Sequence, residues 1–177
     1  LDEAEREMQM GIALAEQTGN TRLLARCLTF LPCVFRQRGE VEGVRAIVTR
    51  AMAVPEARYT AQIKGHQAWI AWREGKLAEA ESVGRASVEA GQHQKMGVNP
   101  FQWVGLWPLI GVALTQENIV EAMGWVRMLL DPTQQLPPPE IAAPLTAALN
   151  TWDAGQQAEA RALLHKVVPL AEKMGYL

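Results

Sequence analysis

The sequence predicts an all-α fold, a solenoid of about four helical hairpins preceded by one leading helix. Three observations predict it. The stretch Gly75-Lys76-Leu77-Ala78-Glu79-Ala80 recurs in variant form at Leu1, Val41, Leu77, Ile119 and Gln157, counted from its third position, in steps of 40, 36, 42 and 38 residues. A period in that range marks stacked helical hairpins. Apolar residues make up 49% of the chain and aromatics only 6%, with alanine abundant, which favours closely approaching helices over a sheet. Apolar residues also recur at helical spacing between turn signals.

Each element follows in order. Leu1 to about Thr18 reads as a helix with Ala4, Met8, Ile12 and Ala15 along one stripe, and Gly19-Asn20 supplies its stop and the next N-cap. Thr21 to Arg38 is the next helix, where Pro32 predicts a kink or a broken last turn. Gly39 turns the chain, Val41 to Ala53 returns antiparallel, and Pro55 ends that hairpin. The second hairpin runs from about Glu56 to Glu74 and from Lys76 to about Gln92. Its first helix has two apolar sides, Tyr59, Ile63, His66 and Ile70 against Ala61, Ala68 and Trp72, as expected of a helix sandwiched between neighbours.

A looser stretch from Gly91 to Asn99 precedes Asn99-Pro100, which reads as N-cap plus N1 proline of a helix to about Thr115, perturbed at Pro108. Ile119 to Leu130 is its return helix. Four prolines between Asp131 and Pro139 predict a stiff, extended connector. The last hairpin spans about Glu140 to Ala154 and Gln156 to Met174, and its close, Leu170 to Gly175, echoes Leu14 to Gly19. The total is nine helices.

The turn has a physical logic. Glycine breaks one helix and starts the next without a Cβ penalty. The alanine five residues on (Ala80, Ala160) falls where the two helices of a hairpin cross; Val44 in that place predicts a splayed first hairpin.

Composition also excludes functions. Net charge is −2 with no basic block, so no footprint for direct nucleic-acid binding exists. No apolar run of about 18 residues is present to span a membrane. The start lacks a methionine and a leader pattern and falls inside a repeat unit, so residues 1–177 are expected to be a single repeat domain cut from the C-terminal part of a longer multidomain protein. Cys27 and Cys33 lie about 9 Å apart along a helix, too far for a disulfide, and read as free buried thiols in a reducing cytoplasm. No phosphate-cradling loop, dinucleotide fingerprint or nucleophile elbow appears. His66, His93 and His165 stand apart from one another and read as surface or core-edge residues, and the glutamates of the Glu-Ala pairs as solvated. No catalytic, cofactor or metal residues are expected.

A turn glycine, an alanine five residues later and a small residue near twelve (Ala51 after Gly39, Ser87 after Gly75) resemble the tetratricopeptide repeat, over nearly the whole chain. Steps of 36 to 42 exceed that family's usual 34. The longer form is similar to the helical C-terminal regions of large bacterial regulators, LuxR-type activators and nucleotidyl cyclase–ATPase fusions. Four segments resemble the latter: AWIAWREG (68–75), FQWVGLWPL (101–109), LLDP (129–132) and the terminal GYL (175–177). The resemblance implies a right-handed superhelix whose repeats sense or scaffold, with cyclase or ATPase chemistry in upstream domains.

In tetratricopeptide folds the first helix of each hairpin lines a concave groove. That register places Arg26, Arg36, Gln62, Trp69, Trp72, Arg73, Trp107 and Trp152 toward it. Indoles flanked by guanidinium groups would suit an anionic peptide, a stacked ring or a sugar. The same tryptophans could instead fill the gaps between alanine-rich helices, and Trp103 and Trp107, at i and i+4, require at least one buried. Two functions follow. One is a binding module for a protein partner, the upstream domains or a small-molecule inducer. The other is a scaffold for intramolecular packing or a homo-oligomer, which predicts an exposed apolar patch along the first helix.

Overall fold

Four short turns set the helix boundaries. Gly75 has φ +72°, and Gly39 and Gly155 occupy the same left-handed region, as the Gly-start motif demands. The corresponding position of the third hairpin is Glu117 at φ +58°, the only non-glycine in that region among the described residues. Five residues beyond each turn stand Val44, Ala80, Ala122 and Ala160, all fully buried. Val44 packs among Trp69, Ile70, Phe35 and Val41. Beside it Gly43 takes the Phe35 ring where a Cβ would sit, so the small residue of that crossing is displaced by one position.

The computed structural model describes residues 1–92 and 99–177. Most of the looser stretch expected from Gly91, and His93 with it, lies outside the described residues. Among those described the chain is all-helical, with no strand: α1 Asp2–Thr18, α2 Thr21–Arg38, α3 Val41–Met52, α4 Thr60–Arg73, α5 Leu77–Gln92, α6 Trp103–Thr115, α7 Ile119–Leu129, α8 Pro139–Asp153 and α9 Gln157–Lys173. A single 3₁₀ turn, Ala57–Tyr59, leads into α4. Each helix packs on the next in sequence, and α6 packs on both α4 and α5. No helix among the described residues is long and apolar enough to cross a membrane.

The tightest crossing is that of α4, α5 and α6. A Cβ on Gly65 would lie 2.8 Å from the Gly105 backbone nitrogen and 2.9 Å from the Val104 carbonyl carbon. One on Gly105 would run into the Ser87 hydroxyl, which itself donates to the Ala61 carbonyl at 2.6 Å. Three helices therefore meet with almost no side chain between them, and α6 is buried through most of its length, from Val104 to Leu114. The largest apolar core joins α6 to α7, α8 and α9.

Two prolines leave their helices continuous, so the last turn of α2 is not broken at Pro32. Pro32 and Pro108 both lie inside unbroken helices. Each removes one N–H from the ladder, and burial of both residues among neighbouring helices holds the turn in place. Asn99-Pro100 does not open α6 directly. The Asn99 side chain accepts from the Phe101 N–H at 3.0 Å and that of Gln134 from the Gln102 N–H at 3.1 Å. These bonds hold residues 100–102 as a turn, and the helix starts at Trp103. Gln134 also donates to the Asn99 carbonyl, and the Gln135 N–H to the Pro100 carbonyl, so the proline-rich connector is stitched to the entrance of α6.

Candidate functional site

Arg36, in the last turn of α2, is 1% exposed and meets no carboxylate among the described residues. A buried guanidinium without a counter-ion needs its donors satisfied otherwise. Here main-chain carbonyls do it: Nε donates to Gly175 at 3.2 Å, Nη2 to Tyr176, and Nη1 to Val104 at 3.4 Å. Two indole faces complete the enclosure, Trp69 at 5.2 Å and Trp103 at 5.6 Å from ring centroid to guanidinium. Burial brings the Arg36 pKa down to about 10, so it stays charged at neutral pH.

Two of these carbonyls, those of Gly175 and Tyr176, belong to the last three residues of the chain, which bend back over α2, α4 and α6. Gly175 permits the bend at φ +76°, and its bare Cα lies against the Gln37 backbone, where a Cβ would be 2.5 Å from the Gln37 Cα. The Tyr176 ring meets Trp103 edge-on at 5.3 Å and Trp107 at 5.7 Å. Leu177 is fully buried, against Gly111 and the core of α6 and α9. Arg73 lies 5.5 Å from the Trp69 ring and points one nitrogen at the Leu177 carbonyl, 3.5 Å away.

Five of the eight expected groove residues, Arg36, Trp69, Trp72, Arg73 and Trp107, thus gather around Gly175–Leu177. Trp69 and Trp107 are wholly enclosed, Trp72 is half-buried beside Gly111, and Arg73 is exposed. The other three lie elsewhere. Gln62 is buried and donates to Asn99 at 3.0 Å. Trp152 packs half-buried on the core that joins α6 to α9. Arg26, ten residues before Arg36 on α2, is exposed beside a cavity of about 720 Å³.

That cavity was not anticipated as such. Phe30, Tyr59, Phe101 and Trp103 wall it, with Cys27 and Cys33 in its lining. Phe30 meets Phe101 edge-on at 5.1 Å and Tyr59 at 6.3 Å. Gln135 accepts from the Trp103 indole N–H at 3.2 Å and so fixes that wall. Arg26 signals the site in the sequence; Tyr59, expected on an apolar side of its helix, stands in the 3₁₀ turn before α4, and Phe101 in the turn before α6. The two cysteines are free. Burial pushes both thiols up, Cys33 to about 11, so both are neutral and poor nucleophiles at pH 7.

His66 corrects the expectation of a surface or core-edge residue: it is 1% exposed, between α4 and α2. Its Nε2–H donates to the Thr29 carbonyl at 2.9 Å. Burial first, and the Arg36 charge second, hold its pKa down at about 3, so it is neutral. His165 is exposed. Among the described residues no cluster of three or more His, Cys, Asp or Glu side chains could hold a metal ion.

No family model, curated protein or solved structure matches the chain.

Proposed function

We propose that the chain is a non-catalytic binding module, a tetratricopeptide-like right-handed superhelix belonging to a longer cytoplasmic bacterial regulator. Its concave face is formed by the first helices α2, α4 and α6 and recognises a protein partner or an inducer. Chemistry such as nucleotide cyclisation or ATP hydrolysis belongs to upstream domains. The repeat register supports the superhelix: the residues five past each turn are all enclosed, and α6 seats on both helices of the preceding hairpin.

One observation carries the binding reading. The face presents an open, aromatic-walled cavity of about 720 Å³ with a cation beside it. Ligand sites are typically a few hundred to about 1,000 Å³, mostly apolar, with a few convergent polar groups. Trp103 in its wall is a built-in reporter. Titrating the chain with small-molecule and peptide pools while following indole fluorescence tests the reading. A saturable signal that disappears in Phe30→Ala, at preserved helicity, is expected. Silence toward every pool would refute it.

A second reading is favoured by α1. Met10 and Leu14, one turn apart, are 59% and 54% exposed, the apolar stripe that a self-association or packing surface presents. Sedimentation of wild type and Leu14→Glu separates the two: a dimer dissolved by the substitution supports association, and a monomer in both removes it.

A further inference from the structure

We propose that the open cavity binds an apolar monocarboxylic acid, a flat aryl or short acyl body held against Phe30, Phe101 and Trp103 with its carboxylate on Arg26. The inference rests on reading this face as the binding face. It adds the chemical class of the ligand.

Charge accounting across the molecule points to an anion. Arg38, Arg45, Arg50, Arg85, Arg127 and Arg161 each meet a carboxylate. Arg36 and Arg73 meet main-chain carbonyls. Among the described residues neither Arg22 nor Arg26 has a partner of either kind, and of the two only Arg26 lines the cavity, as its one charged side chain. Among the described residues no carboxylate lines that cavity, and both thiols are neutral, so none of them repels an anion. A cation would find no counter-charge among the described lining residues.

The remaining polarity is sparse. Besides Arg26 the described lining residues offer the Tyr59 hydroxyl and Gln135, whose side-chain oxygen already accepts from Trp103. A sugar, with a hydroxyl on nearly every carbon, would leave most of its donors unpaired against phenyl and indole surfaces. One anionic head on an otherwise apolar body matches the lining. The volume also suits a molecule larger than a single ring. A guanidinium can grip both carboxylate oxygens at once, which gives orientation as well as attraction.

The test is calorimetric titration of the whole chain with 2-naphthoate, 2-naphthalenemethanol and 2-naphthylmethylammonium, and with decanoate against 1-decanol as the acyl pair. At least one acid is expected to bind about tenfold more tightly than its neutral analogue, and the ammonium least. Arg26→Gln should bring the acid to the level of the alcohol and leave the alcohol's affinity and the melting point unchanged. Arg22→Gln, which removes the same charge one turn away, should preserve the acid preference and so exclude a general field effect. Equal affinity for acid and alcohol overturns the inference while leaving the cavity a binding site. Preference for the ammonium, or an acid preference that survives Arg26→Gln, overturns it too. If none of the five probes binds, the inference fails outright, and the pool titration alone then judges the binding face.

Discussion

Two clusters of arginine and aromatic rings lie along α2, and Trp103 belongs to both. On one side Arg36 is enclosed by Trp69, Trp103 and the carbonyls of Gly175 and Tyr176. On the other, Arg26 stands exposed beside the rings of Phe30, Tyr59 and Phe101. The residue types are nearly the same, and the outcome differs because the chain's own last residues fill the first cluster and leave the second empty. A buried cation that has lost its solvent must be satisfied internally and becomes part of the fold. One that keeps its solvent remains available. Residue type alone therefore does not separate enclosed from exposed arginines here; the presence of an internal acceptor does.

Moving the helices apart should damage both clusters at once, with the largest effect expected. Gly65→Ala puts a methyl group against the backbone of α6, which cannot yield as a flexible side chain would. It should cost about 3 kcal/mol and loosen Trp103, so chemical denaturation and cavity binding should both deteriorate. A variant of unchanged midpoint would show that the α4–α6 approach is not rigid.

The next effect concerns His66, which lies near the Arg36 side of the comparison. Its folded pKa of about 3 lies below the ordinary 6.5. The unfolded chain therefore binds the extra proton between those values. The stability that comes from keeping His66 neutral is fully present above pH 6.5 and falls as pH drops from 6.5 toward 3, by up to about 1.4 kcal/mol per unit. In His66→Gln, which can still donate to Thr29, stability measured across that window should fall less steeply. Parallel profiles would contradict this assignment.

The smallest effect serves as a control on both clusters. Glu117 holds a left-handed turn that glycine occupies in the other hairpins. Glu117→Gly should stabilise by about 0.5 kcal/mol, relief of backbone strain partly offset by unfolded-state entropy. Ligand binding should not change. A loss of stability would mean that Glu117 is not strained.

How much of this was legible depends on how local each cause is. The turns at Gly39, Gly75 and Gly155 and the small residues five later are determined within one hairpin, and the helix boundaries there follow the pattern closely. A break at Pro32 was one of the outcomes expected, and the buried setting of both Pro32 and Pro108 goes with helices that run on through them. Asn99-Pro100 has the composition of a helix start, but Gln134, 35 residues away, ties the segment into a turn. His66 lies in a pattern consistent with a helix edge, and only the approach of α2 through the Thr29 carbonyl places it inside. Arg36 is the extreme case. Its acceptors lie 68, 139 and 140 residues away and are main-chain atoms, which carry no side-chain signature. The register brought Arg36, Trp69, Trp72, Arg73 and Trp107 to one place, and nothing in their spacing reveals that Gly175–Leu177 occupies it.

The most direct measurement is to melt Arg36→Met and Arg26→Met side by side and titrate both with 2-naphthoate. The division of the face predicts that Arg36→Met, which strands the Gly175, Tyr176 and Val104 carbonyls, loses about 3 kcal/mol. It predicts that Arg26→Met melts with wild type and binds the acid more weakly. Equal destabilisation by the two substitutions, or an Arg36→Met chain as stable as wild type, would contradict it.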